Sequence, residues 1–335
     1  MLVHELTTPA LVVDARTLDS NIATMSGARP GSRLRPHVKA FKSTAMARHV
    51  SIEGGHRSFC CATLREMEGM ADAGLGEDLL LANETLDRER LGALVRRGDA
   101  RVTVAVDSPE TIAVAAASGA EVLIDVDVGL PRCGCEPEDA AALAELARSQ
   151  GVPVRGVMGY EGHAVALADR TERHRSVQES MQLLRAAAAE VGADITSAGG
   201  TGTFDMHPDT DEVQAGSYLL MDTHYDRLGL PFTMALWLES TVVSVSPKGW
   251  FVLDCGLKSL GMDHGDPTVE GMQVFFCSDE HTTVLPGEGS ATPSVGDRVR
   301  VLPAHVDPTV AYHSTLHVAD GEDVLESWPV DLRGW

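Results

Sequence analysis

The sequence predicts an α/β fold, a closed (β/α)8 TIM-type barrel followed by a C-terminal antiparallel β domain. Between residues 34 and about 222, eight short apolar runs alternate with Ala- and Glu-rich amphipathic stretches. Strands alternating with helices imply parallel strands joined by crossovers. After Met221 the texture changes to short β-rich runs separated by Gly, Pro and Asp, which reads as antiparallel strands. The barrel is expected over residues 15–235 and the β domain over 236–335, with residues 1–14 added to the latter. An open doubly wound sheet is the alternative, but eight strand runs over roughly 200 residues fit a closed barrel better.

Taken in order, a strand over Ala10–Asp14 precedes the barrel set and is expected to pair with the C-terminal sheet. The barrel strands are then Leu34–Val38, Ser58–Ala62, Asp78–Ala82, Arg101–Val106, Glu121–Val126, Val154–Gly159, Asp194–Ser197 and Val213–Met221. Helical patterns between them include Leu64–Ala73, Leu86–Arg97, Pro137–Gln150 and Arg170–Val191. The β domain follows with Leu236–Val245, Gly249–Leu253, Met272–Cys277, Arg298–Val301, Thr315–Val318 and Val324–Ser327.

Composition narrows the function classes. A formal charge of −22 disfavours nucleic acid and anionic membrane surfaces as partners, since both are polyanions. Only 4% of residues are aromatic, so the core must rest on Ala, Val and Leu. Six cysteines show no framework spacing, as expected of reduced thiols. Cys133 and Cys135 resemble half of a zinc site, but no second pair follows. The start has no cationic and apolar leader, and no apolar run approaches a membrane span. A soluble, cytoplasmic protein is expected.

Lysine usage is the sharpest chemical signal. The chain has four lysines among 27 basic residues, and two of them, Lys39 and Lys42, fall in Arg35-Pro36-His37-Val38-Lys39-Ala40-Phe41-Lys42. Arginine does not lose its proton in a protein, whereas a lysine amine can be tuned to condense with a carbonyl. An isolated lysine is by default a solvated surface charge. Lys39, however, falls at the C-terminal end of the first barrel strand, where barrel enzymes build their sites. After the seventh strand comes Gly199-Gly200-Thr201-Gly202-Thr203. Its glycines let backbone amides approach a phosphate, although a tight turn accounts for the same residues. An amine plus a phosphate cradle points to pyridoxal phosphate.

Other candidates cluster at strand ends. Tyr160 lies in Gly159–His163, and Arg132 follows Asp125–Gly129. Both suit contacts to a cofactor, and packing or turn formation accounts for them equally well. His305 and Asp307 are read as lying at a strand end, where i and i+2 share a face and can reach one divalent ion. An isolated HxD is also common by chance. His313 and His317 are either further ligands or ordinary surface residues, while His56 and His207 read as incidental loop residues.

Together these motifs resemble the D-threonine aldolase and D-serine dehydratase group, within the alanine racemase-like fold type III pyridoxal phosphate enzymes. The likeness runs nearly end to end. It includes Thr8–Asp14, Arg35–Ser43, Cys60–Thr63, Asp125–Gly129 with Arg132–Gly134, Gly159–His163 and Gly199–Thr203. It continues through Ala215–Tyr218, Met221-Asp222, Asp279–His281, Pro303–Thr309 and Trp328–Val330.

The resemblance implies that Lys39 carries the Schiff base with the cofactor. It implies that Gly200, Thr201 and Gly202 hold the phosphate, with Arg132 and Tyr160 near the ring and Ser217 and Tyr218 also cofactor-binding. It makes His305 and Asp307 the metal ligands and the assembly a homodimer. Dehydratase-like members tend to carry cysteine where this chain has Asp307, so the resemblance favours the aldolase branch and manganese or magnesium over zinc. Oxygen-rich ligation selects harder ions, which points the same way. Phe41 departs from the pattern, standing where many relatives carry a second histidine.

The expected activity is retro-aldol cleavage of a β-hydroxy-D-amino acid, typically D-threonine to glycine and acetaldehyde. The alternatives are D-serine or D-threonine dehydration by β-elimination, amino-acid racemisation, and a non-catalytic cofactor-binding protein.

Overall fold

In the computed structural model, which describes residues 1–287 and 293–335, the chain divides into two compact units. One comprises residues 25–39, 47–216 and 332–335, and the other residues 1–24, 40–46 and 217–331. Residues 15–24 and 217–235 therefore group with the β unit. The first strand, β1 (Ala10–Asp14), belongs to that unit and leads into a helix, Ala15–Ala28.

The barrel unit carries seven parallel strands in sequential order. They are β2 (Ser58–Cys61), β3 (Asp78–Leu81), β4 (Val102–Val106), β5 (Glu121–Asp125), β6 (Val154–Gly159), β7 (Ile195–Ala198) and β8 (Glu212–Val213). Runs such as VTVAV and DLLL are buried almost throughout, as parallel strands covered on both faces require. Helices Leu64–Asp72, Arg88–Arg97, Pro109–Ser118, Ala140–Ser149 and Arg170–Val191 make the crossovers. Thr63, Asp87 and Asp169 cap three of them by accepting a backbone N–H three residues on. Helix Pro109–Ser118 was not among the expected stretches. Its sequence PETIAVAAAS has no continuous polar stripe, so periodicity passes over it.

Two expected strands differ from expectation. Segment 34–38 makes isolated parallel bridges, Leu34 to Val213 on one side and His37 to Cys60 on the other. Pro36 is the physical reason, because it has no N–H to donate to the ladder. Its carbonyl still accepts from Cys60 N at 2.9 Å, while Arg35 N and His37 N donate to Val213 O and Ala215 O. The segment thus supplies the eighth stave without being a regular strand. The run Val213–Met221 yields only the two residues of β8, then a 3-10 turn over Ser217–Leu219, and Met221 takes a left-handed φ of 54°.

Inside the barrel, Cys60, Leu80, Ala105, Leu123 and Met158 form one apolar cluster, one residue from each of five consecutive strands. At the N-terminal strand ends an ion network takes over. The buried Arg35 donates to Glu212 at 2.8 Å and to both Asp78 oxygens at 3.2 Å, and Arg155 also binds both Asp78 oxygens.

Burial pushes the Asp78 carboxyl up, but the Arg155 hydrogen bonds and the Arg35 charge outweigh it and bring the pKa down to about 2. A depressed carboxylate stabilises the fold above its unfolded value and loses that contribution as pH falls through the folded one. Stability should therefore drop by roughly 2 kcal/mol between about pH 4 and pH 2 through this group alone. Denaturant unfolding across that window should show a shallower loss in Asp78→Asn. Equal losses in variant and wild type would remove the network from the account.

The β unit is built on β9 (Leu236–Val245), β10 (Phe251–Leu253), β11 (Thr268–Val269), β12 (Met272–Cys277), β13 (Thr282–Pro286), β14 (Arg298–Leu302), β15 (Thr315–Asp320) and β16 (Asp323–Pro329). β1 lies between β9, antiparallel, and β15, parallel. The sheet is thus not purely antiparallel. A helix, Val306–Tyr312, precedes β15, so no hairpin forces that strand's direction. Val3, Leu6, Ala10, Val12, Trp237 and Ala319 pack together on this sheet. Strands β11 and β13 and the helix Val306–Tyr312 were not expected. Pro308 argues against a helix in isolation, yet it sits in the first turn, where its missing N–H costs nothing.

Candidate active site and metal centre

At the C-terminal ends of the barrel strands four expected residues come together. Lys39 lies in a 3-10 turn, Val38–Ala40, directly after the eighth stave, and is half-buried. Its Nζ is 6.0 Å from the centre of the Tyr160 ring, and the Arg132 guanidinium is 5.4 Å from the same ring. Tyr160 follows β6 immediately, and Arg132 lies in the loop after β5. A Cβ added to Gly200 would sit 3.5 Å from the Tyr160 ring. The four residues therefore surround one space with an amine, an aromatic face, a cation and bare backbone.

The glycine loop after β7 is held from behind by an acidic residue of the Gly159–His163 motif, which sequence reasoning read only as suited to cofactor contact. Glu161, fully buried, accepts from Gly199 N at 3.2 Å, Thr203 Oγ1 at 2.6 Å and His207 Nε2 at 2.9 Å. Burial pushes its carboxyl up, but the bond to His207 and the Thr203 hydroxyl outweigh this and keep it below the usual range. His207 is likewise fully buried, so it is a structural partner of the loop and not an incidental residue. His56 is corrected in the same way. It is fully buried and bonds Ser26 Oγ and Gly31 O, both at 2.9 Å. The signal for Glu161 was its place one residue after Tyr160, within a motif already singled out.

The loop also shows why glycine is required at two positions. Gly199 takes φ +83°, and a Cβ on Gly202 would meet Val165 O at 2.4 Å. Thr201 is buried within the same turn. Ser217 and Tyr218 lie in the other unit, in the turn Ser217–Leu219, where Tyr218 is buried with its ring 5.6 Å from Phe232.

Deeper in β5, Asp125 is buried beside Glu84. Burial first, and then the neighbouring Glu84, push its carboxyl well above the usual range. Cys133 hydrogen-bonds to the same Glu84, and burial pushes its thiol up to about 11.

In the β unit, His305 and Asp307 do not lie on an extended strand. His305 is the N-cap residue of helix Val306–Tyr312, and Asp307 is in its first turn. Asp222 fixes this entry by accepting from Val306 N and Tyr225 N, both at 2.9 Å. His305 Nδ1 contacts both oxygens of Asp263, at 2.9 and 2.8 Å. The His264 ring stacks on His305 at 3.8 Å and 11°, and His224 follows at 4.4 Å from His264. Among the described residues, Asp263, His264 and His305 are the group whose ligand atoms all lie within 4.8 Å of one another. His313 and His317 are engaged elsewhere, with Ser259 O and Ser327 Oγ. Sequence reasoning missed Asp263 and His264. The run Asp263-His264-Gly265-Asp266 was the available signal.

The residues fit both groups that the sequence reading implies. Asp307 Oδ1 is buried with no hydrogen-bond partner, a position that a cation or a proton must satisfy. The glycine loop and the Lys39–Tyr160–Arg132 group offer a cradle and an amine for a phosphorylated aldehyde.

Residues 13–224 match the family model for the alanine racemase N-terminal domain, and residues 235–319 match a putative serine dehydratase domain. A D-threonine aldolase from an Arthrobacter species is 31% identical, with 98% of this chain and 93% of that protein covered. A 3-hydroxy-D-aspartate aldolase from Paracoccus denitrificans is 30% identical over the same shares. The crystal structure of a D-threonine aldolase from Filomicrobium marinum superposes with a TM-score of 0.93 at 32% identity, covering 100% of this chain and 98% of that one.

Proposed function

This chain belongs to the alanine racemase-like family that includes the D-threonine aldolases and the serine dehydratase-like proteins, and from that premise we propose that it is a carbon–carbon lyase. Its substrate is a β-hydroxy-D-amino acid, with D-threonine going to glycine and acetaldehyde. The observation that carries the reading is the half-buried Lys39 amine 6.0 Å from the Tyr160 ring at the barrel mouth, with Arg132 over the same ring.

In this reading Lys39 would be the residue that holds pyridoxal phosphate through its amine. Gly200, Thr201 and Gly202 hold the phosphate, while Tyr160 and Arg132 orient the ring. Ser217 and Tyr218 complete the cofactor-binding set. When bound, the cofactor supplies an electron sink for the pair left on Cα as the Cα–Cβ bond breaks. His305 and Asp307 hold a divalent ion, manganese or magnesium in preference to zinc, because a carboxylate oxygen favours a hard ion. Such an ion supplies Lewis acidity that lowers the pKa of a coordinated hydroxyl. Gly199 N–H is engaged by Glu161, which fixes the loop that the phosphate would meet. The protein is proposed to act as a homodimer in the cytoplasm. Its six cysteines are free, as that compartment requires, and among the described residues no helix is long and apolar enough to cross a membrane.

Incubation with D-threonine tests the reading. Equal amounts of glycine and acetaldehyde should form, and chelation should stop their release until manganese is restored. Formation of an oxo acid and ammonia instead would assign the chain to the dehydratase reaction. Epimerised threonine, undiminished after chelation, would make it a racemase.

A further inference from the structure

The metal centre contains two side chains that no sequence pattern assigned, and their geometry sorts them into roles. A nitrogen ligand binds an ion close to its own ring plane, at about 2.1 Å. The His264 and His305 rings are nearly parallel, at 11°, with centres 3.8 Å apart. An ion lying in the plane of His305 therefore lies well out of the plane of His264, so the two do not converge on one ion in this arrangement. Asp263 is placed differently. Both its oxygens accept from His305 Nδ1, at 2.8 and 2.9 Å. That bond puts the ring proton on Nδ1 and leaves the Nε2 lone pair free.

We propose that Asp263 and His264 are positioning residues for the His305 ligand: Asp263 accepts the Nδ1–H hydrogen bond and so aims Nε2 at the ion, while His264 covers one ring face and blocks rotation. The inference rests on the reading of His305 and Asp307 as ligands and deepens it. It explains why both oxygens of an exposed carboxylate are turned toward an imidazole. It also gives His305 the ordered ring that ligation needs, since a ligand histidine ordinarily donates its second N–H to a carboxylate or carbonyl. The buried, unpartnered Asp307 Oδ1 remains as the other protein donor.

Manganese binding to the pyridoxal phosphate-loaded protein, followed by the paramagnetic resonance of free manganese, reads the effect directly. Asp263→Ala should weaken binding about ten- to a hundredfold, the usual cost of removing a supporting carboxylate. Asp263→Asn, which still accepts from Nδ1–H, should recover part of that loss. His264→Ala should weaken binding less than Asp263→Ala, and His264→Phe, which keeps a ring over His305, should restore it. The visible absorbance of the bound cofactor should be the same in all four. Wild-type affinity in Asp263→Ala, while His305→Ala and Asp307→Ala lose the ion, would overturn this inference alone. Loss in Asp263→Ala as complete as in His305→Ala would make Asp263 a direct ligand and overturn it too. Wild-type affinity in His305→Ala and Asp307→Ala would instead overturn the metal reading on which it stands.

Discussion

Lys39→Ala should give a protein that lacks the visible absorbance of the bound cofactor and has lost turnover by about a thousandfold or more, the scale expected when a covalent catalytic group is removed. Lys39→Arg should fail to the same degree. Arginine keeps the positive charge near the Tyr160 ring, but it does not lose its proton to attack an aldehyde. The pair of variants thus separates an amine that bonds from a charge that merely attracts. Lys42 is the rival, three residues on in a left-handed backbone conformation at φ 49°. Borohydride reduction of the loaded protein, followed by peptide mapping, should fix the label on Lys39 and leave Lys42 unmodified. Label on Lys42, or a coloured and active Lys39→Arg, would remove the central residue from the proposal.

Much of the fold was legible because of a single physical regularity. Parallel strands covered on both faces must be nearly continuous apolar runs, as β3 (DLLL) and β4 (VTVAV) are, whereas Arg155 interrupts β6 and Thr196 and Ser197 interrupt β7. The same regularity fails at the barrel's closure. There Pro36 breaks the ladder, and β8 retains only two residues before the chain turns. The barrel-mouth candidates Lys39, Arg132, Tyr160 and Gly200 were legible because they follow strand ends, which topology brings to one rim.

Support for those residues was not legible. Asp263 meets His305 across 42 residues, and Glu161 meets His207 across 46. No local spacing encodes contacts at such separations. The misreading of His305 and Asp307 as strand residues has the opposite cause. An i, i+2 pattern suits a strand locally, but Asp222 captures Val306 N and starts a helix there. Both readings make the two side chains available to an ion, by different geometries.

Glu161→Ala is expected to have the largest effect on stability of any single change near the barrel mouth. Glu161 and His207 are both fully buried, 2.9 Å apart. Removing the carboxylate leaves His207 Nε2, Gly199 N and Thr203 Oγ1 without the acceptor they now share. Breaking a buried pair by deleting one partner costs about 3–5 kcal/mol, because the other group stays behind uncompensated. Over a unit of this size that is a fall in Tm of roughly 6–20 °C, at 2–4 °C per kcal/mol. The exposed-side contrast is Arg90 with Glu68, at 2.7 Å but about one-third exposed. Arg90→Ala should cost no more than about 1 kcal/mol, since solvent screens such a pair. The functional consequence follows from the same bonds. With Glu161 gone, Gly199 to Thr203 lose the anchor that orders their backbone, so the loaded protein should shed pyridoxal phosphate on dialysis faster than wild type does. Glu161→Gln, which keeps an acceptor for Thr203 Oγ1, should fall between the two on both measures. A Glu161→Ala protein that melts with wild type and holds its cofactor equally well would show that the glycine loop is ordered without this carboxylate.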